Sequence, residues 1–108
     1  MKLNDLFISR QDTAFAVELA TRFVRLFPVV LANEKLAQPK VQARLQNVLS
    51  NFLLDVAAFQ TERHLNWVSK ALFANTLRWE LIRQGYNTYF AHDLAKKVAL
   101  KLALPSQN

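Results

Sequence analysis

Apolar residues recur every three or four positions along most of this chain, the period of an amphipathic helix. Phe15, Leu19, Phe23, Leu26 and Val30 form the first stripe. Ser9, with Asp12 three positions on, makes an imperfect capping box ahead of it, and residues 1–9 read as an extended lead. Pro28 lacks an amide hydrogen and crowds the preceding turn, so this helix ends near Phe27 or kinks there. Residues 29–36 read as a further short helical piece. Pro39 suits the first turn of the next helix, where a missing donor costs nothing. Val41, Leu45, Val48, Leu49, Phe52, Val56 and Phe59 then form an apolar face, with Lys40, Arg44, Asn47, Asn51 and Asp55 on the wet side.

The stretch Thr61–Gly85 is harder to orient because it is apolar on two sides. Leu65, Val68, Leu72, Trp79 and Ile82 share one face; Arg63, Trp67, Lys70, Ala74 and Arg78 share the other, with Leu77 and Leu81 close beside them. A helix at the edge of a monomer shows one apolar stripe, so this pattern predicts a central helix or one touched by a partner. Thr61 is the expected cap, Glu62 lies in the first turn, and Gly85 supplies a left-handed stop. Asn87 or Thr88 opens the last helix. Its core stripe is Leu94, Val98 and Leu102, backed by Ala91, Ala95 and Ala99. Asp93, Lys96, Lys97 and Lys101 lie opposite, with Leu100 and Leu104 among them.

The expected fold is therefore all-α: a single helical bundle of four main helices near 10–27, 39–60, 62–84 and 88–104, plus a short helical segment after Pro28 and a polar tail at 105–108. Short connections around 36–39 and 85–87 favour antiparallel neighbours. Composition agrees. A chain of 108 residues that is 52% hydrophobic is one domain with enough length to bury roughly 65% of its unfolded surface. One Gly and three Pro leave little material for hairpins. Zero Cys removes disulfides and thiolate metal sites. The segment MKLNDLFISRQD lacks a signal-peptide apolar core. The most apolar run, FVRLFPVVLA, carries Arg25 and Pro28 and is too short to span a bilayer. The expectation is a cytoplasmic protein with no membrane partner.

Charge narrows the partners. The chain carries net +6. Residues 1–60 hold seven basic and five acidic side chains, and residues 61–108 hold seven basic and three acidic, so the C-terminal half is the better surface for an anionic partner. Catalysis has little to work with. His92 and Asp93 are adjacent, so on a helix they point about 100° apart and do not form an oriented base pair. His64 beside Arg63 reads as a surface residue. No HExxH, Glu-xx-His or DxDxDG spacing occurs, and a single Gly rules out phosphate-cradling glycine loops. No enzyme, metal or cofactor is expected.

The sharper signal is the stripe Arg63–Trp67–Lys70–Arg78, cations around an aromatic plane, which suits phosphates and a stacked base. Against stacking, tryptophan is largely buried on average, and Trp67 is expected in the core with the cations at its rim. Leu77–Gly85–Leu94 has the order of a helix-turn-helix, but Glu80 and Gln84 sit where that motif packs apolar side chains, which leaves an αα-hairpin. Tyr86, Tyr89 and Phe90 are expected to close the end of the bundle with the tyrosine hydroxyls in water. The small, basic, all-helical profile is similar to that of accessory subunits of nucleic-acid-handling assemblies, such as the small subunits of CRISPR effector complexes, a likeness of class that no motif carries.

Two functions are expected from these residues. The first is binding of the DNA or RNA phosphate backbone without sequence specificity, within a multisubunit nucleoprotein complex. Arg63, Lys70 and Arg78 would serve on one face, Lys96, Lys97 and Lys101 on another, and Trp67 as a possible stacking platform. The alternative is a protein–protein interaction subunit or homodimeric adaptor. There Leu77, Leu81, Leu100 and Leu104 would form the contact with other subunits or a homo-oligomer partner.

Overall fold

Proline, glycine and asparagine divide the chain where their backbone chemistry requires. The computed structural model describes residues 10–63 and 66–104. It places five helices there: α1 (Arg10–Leu26), α2 (Val29–Glu34), α3 (Pro39–Arg63), α4 (Trp67–Gln84) and α5 (Thr88–Ala103). No strand occurs among the described residues, and the chain is all-α. Pro28 ends α1 and stands as the N-cap of α2, and Pro39 opens α3. Gly85 adopts φ 114° at the end of α4, a left-handed backbone that only glycine enters without strain. Asn87 caps α5, its side chain accepting the Phe90 N–H at 2.8 Å. The expected lead over 1–9 with its Ser9 cap, the polar tail at 105–108, His64 as a surface residue and Leu65 as a core residue lie outside the described residues.

Thr61 does not cap α4. Its hydroxyl donates to the Ala57 carbonyl at 3.0 Å, the back-bonding pattern of a helix interior, and α3 runs on to Arg63. Asn66 takes the capping role instead, accepting the Ser69 N–H at 2.8 Å; asparagine is among the best residues for that position. The proposed stripe from Arg63 to Arg78 is therefore split between two helices.

The core sits between α1, α4 and α5, with α3 laid across α1 and α5. Leu19, Phe23 and Phe27 from α1 and its end are fully buried. So are Phe73, Leu77 and Leu81 from α4, and Val98 and Leu102 from α5. Phe15, Phe59 and Phe73 stack across three helices, with centroids 4.2 Å apart for Phe15–Phe59 and 5.3 Å for Phe59–Phe73. Phe23 meets Phe52 of α3 edge-on at 5.4 Å and Tyr86 at 5.7 Å, arrangements that aromatic quadrupoles favour. Leu26 and Val30, expected in the first stripe, are exposed, and Phe27, four residues after Phe23, is buried instead.

Four hydrogen bonds fasten the ends of the helices. Arg44 of α3 donates through Nε to the Leu26 carbonyl at 2.9 Å, a cation at the negative end of α1. Asn33 of α2 donates through Nδ2 to the Gly85 carbonyl and accepts the Asn87 N–H through Oδ1, both at 2.9 Å. Tyr86 donates its hydroxyl to the Phe27 carbonyl. That residue is buried, so its hydroxyl does not reach water, whereas Tyr89 beside it is 89% exposed and closes nothing.

Helix α4 shows the largest departure from the sequence pattern. Its inward face is Ser69, Phe73, Leu77 and Leu81, spaced by four, with Ala74 alongside. Leu77 and Leu81 have 0% exposure. They are part of this chain's own core and offer nothing to a partner. Trp79, expected on a core face, is more than half exposed, and Trp67, also expected inside, is 80% exposed.

Candidate nucleic-acid interface

Alanines on both helices of the α4–α5 hairpin leave space between them. Ala74 of α4 and Ala95 and Ala99 of α5 form the floor of an open groove of about 550 Å³. Asn75 and Arg78 from α4 and His92 and Lys96 from α5 line it. Among the described residues no carboxylate lines this groove. The remaining acids of the two helices are engaged elsewhere. Glu80 accepts from Arg83 Nη2 at 2.7 Å and from Nε at 3.1 Å. That contact raises the Arg83 guanidinium above its usual range, chiefly through the hydrogen bond to Glu80 and then through its charge. Asp93 pairs with Lys97 one turn along α5.

Arg78 is held by neutral groups. Its Nη2 donates to Asn75 Oδ1 at 3.1 Å, and its guanidinium carbon lies 4.8 Å from the centre of the Trp79 ring, within range of a cation–π contact. Neither partner carries a negative charge, so the guanidinium is oriented while its charge stays free for an anion. Arg22 is the contrast. It sits in a smaller crevice between α1 and α3, of about 210 Å³. There it pairs with Glu18 at 3.1 Å and Asp55 at 3.5 Å, and those acids cancel its charge.

The predicted cations divide accordingly. Arg78 and Lys96, placed on separate faces by the sequence pattern, share the groove. Lys97 is exposed but ion-paired with Asp93. Lys70 and Lys101 are each partly buried, Lys101 in the last turn of α5. Arg63 ends α3, and its side chain lies outside the described residues. Of the predicted contact leucines, Leu100 and Leu104 are exposed, at 59% and 58%. His92 and Asn75 were missed as groove residues. Their signal was present in the spacing: Asn75 and Arg78 lie three apart, and His92, Lys96 and Ala99 follow one another at four and three.

Among the described residues no three His, Asp or Glu side chains gather in a way that could hold a metal ion. No helix among them is long and apolar enough to cross a membrane. No protein-family profile, curated protein or solved structure matches the chain.

Proposed function

We propose that this chain binds the phosphate backbone of DNA or RNA without reading sequence, as a small basic subunit of a multisubunit nucleoprotein complex in the cytoplasm. Its scaffold would be a single bundle of four main helices with the short helix after Pro28 fastening one end. The observation that carries this reading is Arg78 and Lys96 on opposite walls of one groove that no carboxylate among the described residues lines, with Arg78 oriented by uncharged partners. Two cations so placed neutralise phosphates and release their counterions. Asn75, the one amide lining the groove among the described residues, is bonded to Arg78, so the site favours backbone contact over base readout. The test is fluorescence anisotropy with labelled oligonucleotides of unrelated sequence at low and moderate salt. Binding indifferent to sequence and steeply weakened by salt supports the reading; no binding at low salt ends it.

One observation favours a second reading. Leu100 and Leu104 are exposed near the end of α5, and adjoining apolar side chains mark protein contacts when they form a contiguous patch. An interaction subunit or homodimer using these leucines would sediment above monomer mass at micromolar concentration. A clean monomer with no captured subunit counts against it.

A further inference from the structure

Trp67 stands at the first position of α4 with 80% of its surface in solvent. It shares a helix face with the groove. Ala74 is seven residues on and Arg78 eleven, close to two and three whole turns, which places the indole roughly 16 Å along the axis from Arg78. The same face therefore carries, in line, an open aromatic plane, a small-residue floor and an uncompensated cation.

Those features discriminate between forms of nucleic acid. In a duplex the bases are stacked inside, and an indole on the protein surface meets only sugar and phosphate. In a single strand every base has a free π-face, and stacking on an exposed aromatic is gained whatever the base. The groove is concave and floored by alanines, a shape that receives one strand's backbone between two helices better than the convex flank of a double helix. Among the described residues no ring or cation packs on the Trp67 indole.

We infer that the α4–α5 groove takes single-stranded nucleic acid in preference to duplex, its phosphates on Arg78 and Lys96 and one of its bases stacked on Trp67. This rests on the backbone-binding reading above and adds to it the form of the ligand.

The experiment compares single-stranded and duplex oligonucleotides of equal length, in DNA and RNA versions, for the unaltered chain and for Trp67→Ala. The expected result is tighter binding of single strands, with Trp67→Ala weakening that binding roughly tenfold and leaving duplex binding within about twofold. Because the ring is exposed, the variant should keep its helical circular dichroism. Tryptophan emission of the unaltered chain should be quenched as single strand saturates the protein, and the part of that quenching due to Trp67 should be lost in Trp67→Ala. Equal affinity for duplex and single strand, an equal loss for both on Trp67→Ala, or unchanged emission at saturation overturns this inference while the backbone reading survives. Absence of binding to any oligonucleotide at low salt overturns both.

Discussion

The Tyr86 hydroxyl donates to the carbonyl of Phe27, joining the turn after α4 to the end of α1. Both residues are buried, and Pro28 follows directly, so the bond satisfies a carbonyl at the point where α1 is forced to stop. Removing the hydroxyl with Tyr86→Phe keeps the ring against Phe23 and Phe90 and should cost about 1–2 kcal/mol in urea unfolding at pH 7.

The same residue predicts a pH dependence. Burial raises the Tyr86 phenol above its ordinary value near 10. The folded chain holds the neutral phenol, so this contribution to stability is complete below about pH 10 and is lost as pH rises beyond it towards the raised value. The stability gap between the unaltered chain and Tyr86→Phe should therefore be constant from pH 7 to 9 and narrow above 10. A gap that widens at alkaline pH would contradict the burial argument.

Asn33 closes the same end of the molecule with one side chain, donating to the Gly85 carbonyl and accepting from Asn87 N–H. Asn33→Ala removes both bonds and should cost about 1 kcal/mol. Gly85→Ala places a Cβ 3.5 and 3.7 Å from the Val29 methyl carbons, ordinary contact, so its cost arises from φ 114° alone. A loss of about 1–2 kcal/mol is expected, read as a lower denaturation midpoint at unchanged slope.

These joints show what was legible in the sequence. Pro28, Pro39, Gly85 and Asn87 act through their own backbone chemistry, so a local reading finds them. The apolar face of α3 was legible because its stripe has no rival. Helix α4 does have a rival: Val68, Leu72, Trp79 and Ile82 against Ala74 with Leu77 and Leu81 beside it; Phe73, which the sequence reading places on neither face, is fully buried with the second set. Periodicity groups each set but does not say which faces inward; packing on α1 and α5 chose the second. The start of α4 differs from the sequence reading, which takes Thr61 as the cap: Thr61 bonds back to Ala57 inside α3, and Asn66 caps α4 instead. The groove was not legible at all as a unit, since Arg78 and Lys96 meet only when α4 and α5 pair.

Leucines separate core from surface in a direct way. Leu77→Ala empties a fully buried position between α1, α4 and α5 and should cost about 2–5 kcal/mol. Leu100→Ala truncates a side chain that is 59% exposed and should change stability by less than about 0.5 kcal/mol. If Leu100 and Leu104 do contact a second copy, replacing both with Ser would instead lower the sedimenting mass, with the thermal unfolding of the monomer unchanged.

Charge reversal tests where an anion sits. Arg78→Glu and Lys96→Glu each place a carboxylate in a groove that none of the described acids lines, and each should weaken nucleic-acid binding and lower the slope of log affinity against log salt by roughly one unit per lost phosphate contact. Lys97→Glu acts outside the groove lining, on a cation already paired with Asp93, and should have the smaller effect. Ala99→Leu leaves every charge in place but fills the groove floor; it should reduce affinity with the salt slope of the residual binding preserved. Anisotropy at three salt concentrations reads all four variants. A Lys97 reversal as damaging as that of Lys96, with Ala99→Leu silent, would move the binding surface off the groove and onto the outer face of α5.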